Sequence, residues 1–282
     1  MNRSLKNSLV IGFCYFSAFL ALGILIVLLQ HVFVQGWFYL DAQLLNNFPS
    51  RFVAKAGLKS ALFGSLFVII LMLIWVIPIG VACAIYLEEY ASKKGLWVNF
   101  LRLNISNLAG LPSIVYGLVG LSLFVHFLGF GRSILTASLT LGLLVLPMVV
   151  LTAMGALRDV PQAIREAAFA LGAQKWQVVI FQVLPAAIGG ILTGIILALS
   201  RAFGESAPVL VVGAVAFSAF VPQSIWDQFS VLPIQIYNWA SRPQEAFHYK
   251  AAAGIIVLLT LLLIMNLVSI ALRRYFEKKV KG

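Results

Sequence analysis

Windows of about 20 consecutive apolar residues, each long enough to cross the hydrocarbon of a bilayer as a helix, recur along this 282-residue chain. They lie at Leu9 to Val34, Leu58 to Leu87, Leu108 to Leu128, Ile134 to Met154, Ala186 to Val212 and Ala251 to Leu272. Inside a bilayer no water pairs with backbone N–H and C=O groups, so a spanning segment must be an α-helix or part of a closed barrel. Barrel strands alternate apolar and polar residues over about ten positions, whereas runs such as GIIVLLTLLLIMNLVSIAL are apolar on every face. The chain is therefore read as an all-α integral membrane protein, a six-helix bundle forming a single transmembrane domain over 1–282. A composition of 62% hydrophobic and 10% charged residues excludes a water-facing globular surface. The first window exceeds the roughly 7–15 residues of a secretion-signal core and no small-x-small site closes it, so it is expected to stay as a helix. Cys14 and Cys83 fall inside windows, where thiols act as small apolar fillers.

Lys and Arg set the orientation. An even number of spans puts both termini on one side, with Arg3, Lys6, Lys93, Lys94, Arg102, Arg158, Arg165, Lys175, Arg273, Arg274, Lys278, Lys279 and Lys281. The other side holds fewer, namely Arg51, Lys55, Lys59, Arg132, Arg242 and Lys250. Both termini are expected to be cytoplasmic, and the net charge of +11 then reflects topology and contact with anionic lipid, not nucleic acid. The cluster at Arg51, Lys55 and Lys59 is either a solvated loop start or a contact for an acidic partner.

Motifs for self-contained chemistry are missing. No phosphate-binding G-x-x-x-x-G-K-[ST] loop occurs, and no Gly is directly followed by Lys, so any ATP energy must come from a partner. His31, His126 and His248 stand apart without Cys, Asp or Glu at ligand spacing, which disfavours a metal site. G-x-S-x-G and H-E-x-x-H are absent, and with them the case for a membrane enzyme.

One long polar, helix-patterned stretch interrupts the apolar sequence: PQAIREAAFALGAQKWQVVIFQVLP, from Pro161 to Pro185. Pro161 suits a first helical turn. Ala163, Ile164, Ala167, Ala168 and Leu171 form an apolar stripe at helical spacing that stops at Gly172, and a second helix is expected from Gln174 to Val183, ending at Pro185. Two short helices joined at a glycine form a knob that enters a groove on another protein, the alternative being a helix lying on the bilayer surface.

The spacing Glu166-Ala167-Ala168, then Gly172, then Leu184-Pro185 resembles the E-A-A-x-x-x-G…L-P signature of ABC importer permeases, in which that loop, here about 155–186, couples to the ATPase subunit. Gln182 departs from the apolar residue usual there. NLAGLPSIVYGLVGL, SRAFGESAPVL and SVLPIQIYNWASRP are similar to segments of phosphate-importer permeases of the PstA type. The resemblance implies a six-span type I permease in a bacterial inner membrane that is not itself an enzyme. It also implies a heterodimer with a PstC-type permease, two PstB-type ATPases that bind ATP and Mg, and an external phosphate-binding protein. No cofactor is expected in this chain. An ABC permease for another oxyanion, a PstC-type subunit, and an ion-coupled secondary transporter are the competing readings.

Independently of family, Arg201 and Glu205 form an ionisable pair four residues apart in the fifth window. Each charge costs about 3 kcal/mol at mid-bilayer on insertion scales, which marks such a pair as functional by default. Pro208 cannot donate to the carbonyl of Gly204, so the helix is expected to open there into a polar, water-lined gap. Arg201 offers an oxyanion a permanent charge and a planar fork of donors, and Ser200 and Ser206 add hydroxyls; the alternative is a pair that only fixes helix packing. Gly110, Pro112, Gly117 and Gly120 present a similar choice between close helix packing and a broken span, with packing favoured. Trp226, Tyr237 and Trp239 are either interfacial anchors or, with Pro222 and Pro233, part of an outer cap.

Overall fold

The computed structural model describes residues 3–92, 95–215 and 217–281, with side chains placed for 11–92, 95–215 and 217–276. Lys93 and Lys94, and the side chains of Arg3, Lys6, Lys278, Lys279 and Lys281, from the charge count above, lie outside the described residues.

Among the described residues all regular structure is helical. Helix α1 (Arg3–Gly36) leads through a 3-10 turn at Trp37–Tyr39 to α2 (Ala42–Asn46). The Asp41 carboxylate caps α2, accepting from the Leu44 N–H at 2.7 Å, as short acidic side chains do at helix starts. Helix α3 (Lys59–Ile85) runs into a π turn at Tyr86–Tyr90. Then come α4 (Leu96–Ala109), α5 (Ser113–Gly120), extended by a π turn to Phe127, and α6 (Ile134–Arg158). Two loop helices follow, α7 (Gln162–Ala170) and α8 (Lys175–Val178); a π turn at Val179–Val183 joins α8 to α9 (Leu184–Gly204). Helices α10 (Ala207–Val212), α11 (Leu232–Ala240) and α12 (Glu245–Lys281) complete the chain.

Helix α6 is the hub. Two thirds (67%) of its most apolar window is buried, against 28% for α3, 39% for the α8–α9 rod and none for α1 and α12. It packs between α3 and α9 and also touches α4, α5 and α10. Its buried hydroxyls are satisfied, Thr140 donating to the Thr136 carbonyl at 2.7 Å and Ser138 to that of Leu135 at 2.8 Å within the helix, and Thr136 to the Gly131 carbonyl just before it at 2.8 Å, so polar residues cost little there. Close approach uses small residues: Gly142 receives the Trp75 ring and Gly120 the Thr140 side chain, where any Cβ would overlap.

Three sequence expectations need correction. The third window is not one straight span, because α4 and the α5 rod meet at 104°. Pro112, extended at ψ 138°, cannot continue α4, so Gly110 and Pro112 form a break while Gly117 and Gly120 do the packing. The fifth window, by contrast, opens where Pro208 implied, α9 ending at Gly204 and α10 starting at Ala207. The second loop helix does not end at Pro185. It continues as one rod from Lys175 to Gly204, the π turn shifting the hydrogen-bond ladder just before a residue that has no N–H to give. Finally, Trp239 is no interfacial anchor: it is fully buried beside Phe247 at 6.4 Å, whereas Trp226 and Tyr237 are exposed. Both cysteines are free, with Cys14 exposed on α1.

Candidate functional site

At one end of the bundle, α7 and α8 protrude. Pro161 precedes α7 as its cap at ψ 135°, one position earlier than a first-turn placement. No residue of α7 is fully buried: Ile164 and Ala168 pack half-buried against the core, while Ala163 and Ala167 are exposed and Leu171 is 89% exposed, so the stripe read from sequence is only partly covered by its own chain. Glu166 and Ala167 are exposed and Ala168 half-buried. Ile164, Ala167, Ala168, Leu171, Gln177, Phe181 and Gln182 help line a groove of about 500 Å³. Gly172 ends α7 at φ +79°, a left-handed conformation that glycine adopts without a Cβ penalty; its N–H donates to Phe169 O at 2.9 Å, and that of Ala173 to Ala168 O at 3.2 Å. Gln174 and Gln177 cap α8 reciprocally. Leu184 packs, half-buried, against a core that includes Leu87, Val98, Leu157, Val178 and Val183, with Pro185 beside it in the first turn of α9.

This end also holds charges that the sequence reading passed over. Glu88, with its side chain 4% exposed, accepts from Arg158 Nη2 at 2.9 Å and Nε at 3.2 Å, and from Arg102 Nη2 at 3.4 Å. Arg102 also donates to the Leu87 carbonyl at 2.6 Å. Glu89 accepts from Arg165 Nη2 at 2.6 Å, and the same guanidinium donates to the Val160 and Leu157 carbonyls at 2.7 and 2.8 Å. Two adjacent carboxylates at the end of an apolar span, on the side otherwise rich in Lys and Arg, were the available signal.

The second site is the gap between α9 and α10. Arg201, in the last turn of α9, places Nε 3.5 Å from Oε1 of Glu205, the side chains 33% and 20% exposed. The pair does not share a helix face as the spacing implies, because Glu205 is already extended at ψ 120°. Pro208 sits in the first turn of α10, consistent with an opened helix, yet the void that Glu205 borders is about 10 Å³, room for about one water and not the water-lined gap expected. Ser200 is committed elsewhere: its hydroxyl donates to Asn266 Oδ1 on α12 at 2.8 Å. Ser206 is exposed at the start of α10 without a side-chain cap bond.

Helix α5 packs closely on α10. Gly117 on α5 lies so close to α10 that a Cβ there would be 2.8 Å from Pro208 Cα. Tyr116, within electrostatic reach of Arg201, donates its hydroxyl to the Leu108 carbonyl at 2.7 Å, spanning the Gly110–Pro112 bend. Arg201 and Glu205 thus lie at the α9–α10 break, with α5 packed alongside through Tyr116 and Gly117.

Comparison with known proteins agrees in fold and family. The family model described as "Binding-protein-dependent transport system inner membrane component" matches residues 76–282. The phosphate transport system permease protein PstA of Mycobacterium leprae is 34% identical over 289 residues, covering 100% of this chain and 93% of that protein. PstA of Haemophilus influenzae is 32% identical, with 98% and 96% covered. Among solved structures, a chain of a bacterial alginate ABC transporter superposes with a TM-score of 0.64 at 15% identity, covering 97% of this chain and 95% of that one. A chain of the inward-facing methionine transporter MetNI gives 0.61 at 17% identity over 78% and 94%; at such identities the likeness is one of fold. Among the described residues, five helices long and apolar enough to cross a membrane, with a bent pair that brings the total to six if it counts as one span, and protruding loop helices fit the multi-pass ABC importer permeases, and the chain belongs to the family of binding-protein-dependent transport system inner membrane components.

Proposed function

We propose that the chain is the permease subunit of an ATP-driven inorganic phosphate importer and forms half of its translocation pathway in a bacterial inner membrane. The observation that carries the reading is 34% identity along the whole chain to a phosphate permease. A PstC-type permease supplies the other half, two PstB-type ATPases bind ATP and Mg, and a phosphate-binding protein delivers the anion on the outer face. The α7–α8 end faces the cytoplasm, where Glu166, Ala167, Ala168 and Gly172 dock the ATPase and Leu184 and Pro185 seat the knob on the bundle; the open groove along the α7 stripe supports this. ATP binding and hydrolysis then shift the bundle between outward and inward access through differential affinity for the two states.

In the pathway, Arg201 neutralises the anion and offers it a donor fork, Glu205 accepts the phosphate O–H, and Ser206 adds a hydroxyl. With Ser200 bound to Asn266, the donors beside Arg201 are reduced to Ser206. Removing one partner of a desolvated pair leaves an uncompensated charge and costs about 3–5 kcal/mol, so Arg201→Gln alone confounds misfolding with lost function. The informative variant is Arg201→Gln with Glu205→Gln, reconstituted with the partner subunits. Normal assembly with phosphate uptake abolished is expected; uptake at the unmodified level would reduce the pair to packing.

A further inference from the structure

Three consecutive residues at the end of α3 hold the elements around the loop helices. Glu88 grips the C-terminus of α6 through Arg158 and the middle of α4 through Arg102. Glu89 grips α7 through a two-pronged contact with Arg165, both side chains nearly buried at 10% and 11% exposure. The Tyr90 ring receives the Lys175 ammonium, at the start of α8, 5.0 Å from its centroid. These contacts cross 70 and 76 residues of sequence, and a π turn presents all three residues together; such turns recur at functional positions. Helix α7 has no fully buried residue; Ile164 and Ala168 pack half-buried against the core, and Arg165 adds its polar tie to the bundle. Beside the tie lies an open cleft of about 530 Å³ bordered by Glu88, Glu89, Arg158, Arg165, Phe169 and Lys175, across which the Glu89–Arg165 pair joins α7 to the end of α3.

We infer that Glu88-Glu89-Tyr90 is the anchor through which displacement of α7 reaches the membrane helices, with Glu89 and Arg165 as positioning residues that make α7, α3 and α6 move together. A forked pair with low exposure resists bending of the contact better than a single flexible contact does, and α6 packs against α3, α4, α5 and α9. The inference rests on the reading that α7 docks the ATPase.

The test uses the purified complex in liposomes, reading ATPase co-purification and phosphate imported per ATP hydrolysed. Glu89→Gln is expected to keep the ATPase subunits bound while the ratio falls at least about fivefold, the low end of typical coupling between sites. Glu89→Asp, which keeps the charge, retains most of the ratio, and Glu89→Gln with Arg165→Gln is no worse than Arg165→Gln alone, since residues acting as a unit are not additive. A Glu89→Gln complex with an unchanged ratio, a Glu89→Asp complex as deficient as Glu89→Gln, or losses that multiply in the double variant would each overturn the inference. If Glu89→Gln does not accumulate, Glu89→Asp and the double variant decide the same question. Gly172→Val separates the underlying docking reading: if it leaves co-purification and ATP-driven uptake intact, that reading fails, whereas uncoupling by Gly172→Val but not by Glu89→Gln removes the anchor alone.

Discussion

Glu205 is where selectivity is most directly testable at the level of one side chain. Inorganic phosphate keeps a proton near neutral pH and sulfate has none, so a carboxylate accepts a charge-assisted bond from the first and repels the second. A hydrogen bond to a charged group contributes about 1.5–3 kcal/mol. Glu205→Gln is therefore expected to lower phosphate-driven uptake by roughly 10- to 100-fold and to make uptake sensitive to sulfate as competitor. Unchanged phosphate transport without sulfate sensitivity would leave Glu205 as a structural partner of Arg201. Arg201 and Glu205 stood out in the sequence because charges inside an apolar window are costly there, a property of single residues. That Ser200 belongs to Asn266 did not, since a hydroxyl carries no sign of its partner 66 residues away.

Among the elements, α7 and its glycine stop carry the sharpest expectation. Gly172 sits at φ +79° with nothing within 4 Å of an added Cβ, so a substitution there is resisted by backbone conformation and not by crowding. Holding a β-branched residue in that region costs on the order of 1–3 kcal/mol. Gly172→Val should redirect the link from α7 to α8 and abolish ATP-driven uptake while membrane levels persist. Gly172→Asn, which tolerates the left-handed region, should retain most uptake, measured in the same vesicles. The loop helix and its stop were legible because period and glycine chemistry are local, and the π turn that carries the rod past Pro185 was not, because its register is settled by packing of Val178 and Val183 into the core.

Across the whole molecule, orientation is the expectation to check. The balance of Lys and Arg puts the α7–α8 end in the cytoplasm and the turn at Val53–Lys55 outside. With Cys14 and Cys83 removed, Lys55→Cys should react with a membrane-impermeant maleimide on intact cells, and Gln174→Cys only after permeabilisation. Both positions are exposed, so the reverse pattern would invert the topology and place the α7–α8 knob on the outer side.

The sequence by itself determined the membrane class, the helical architecture, the approximate spans and the position of the knob, because a chain that must satisfy its own backbone in hydrocarbon has helices as its local solution and because Gly and Pro act within a few residues. Tertiary structure decided the rest: the 104° bend between α4 and α5, the close approach of α5 to α10 at Gly117 and Pro208, the burial of Trp239, and the ties from Glu88 and Glu89 to arginines 70 and 76 residues away. Each depends on which helix faces meet, and no period or spacing within a segment encodes that.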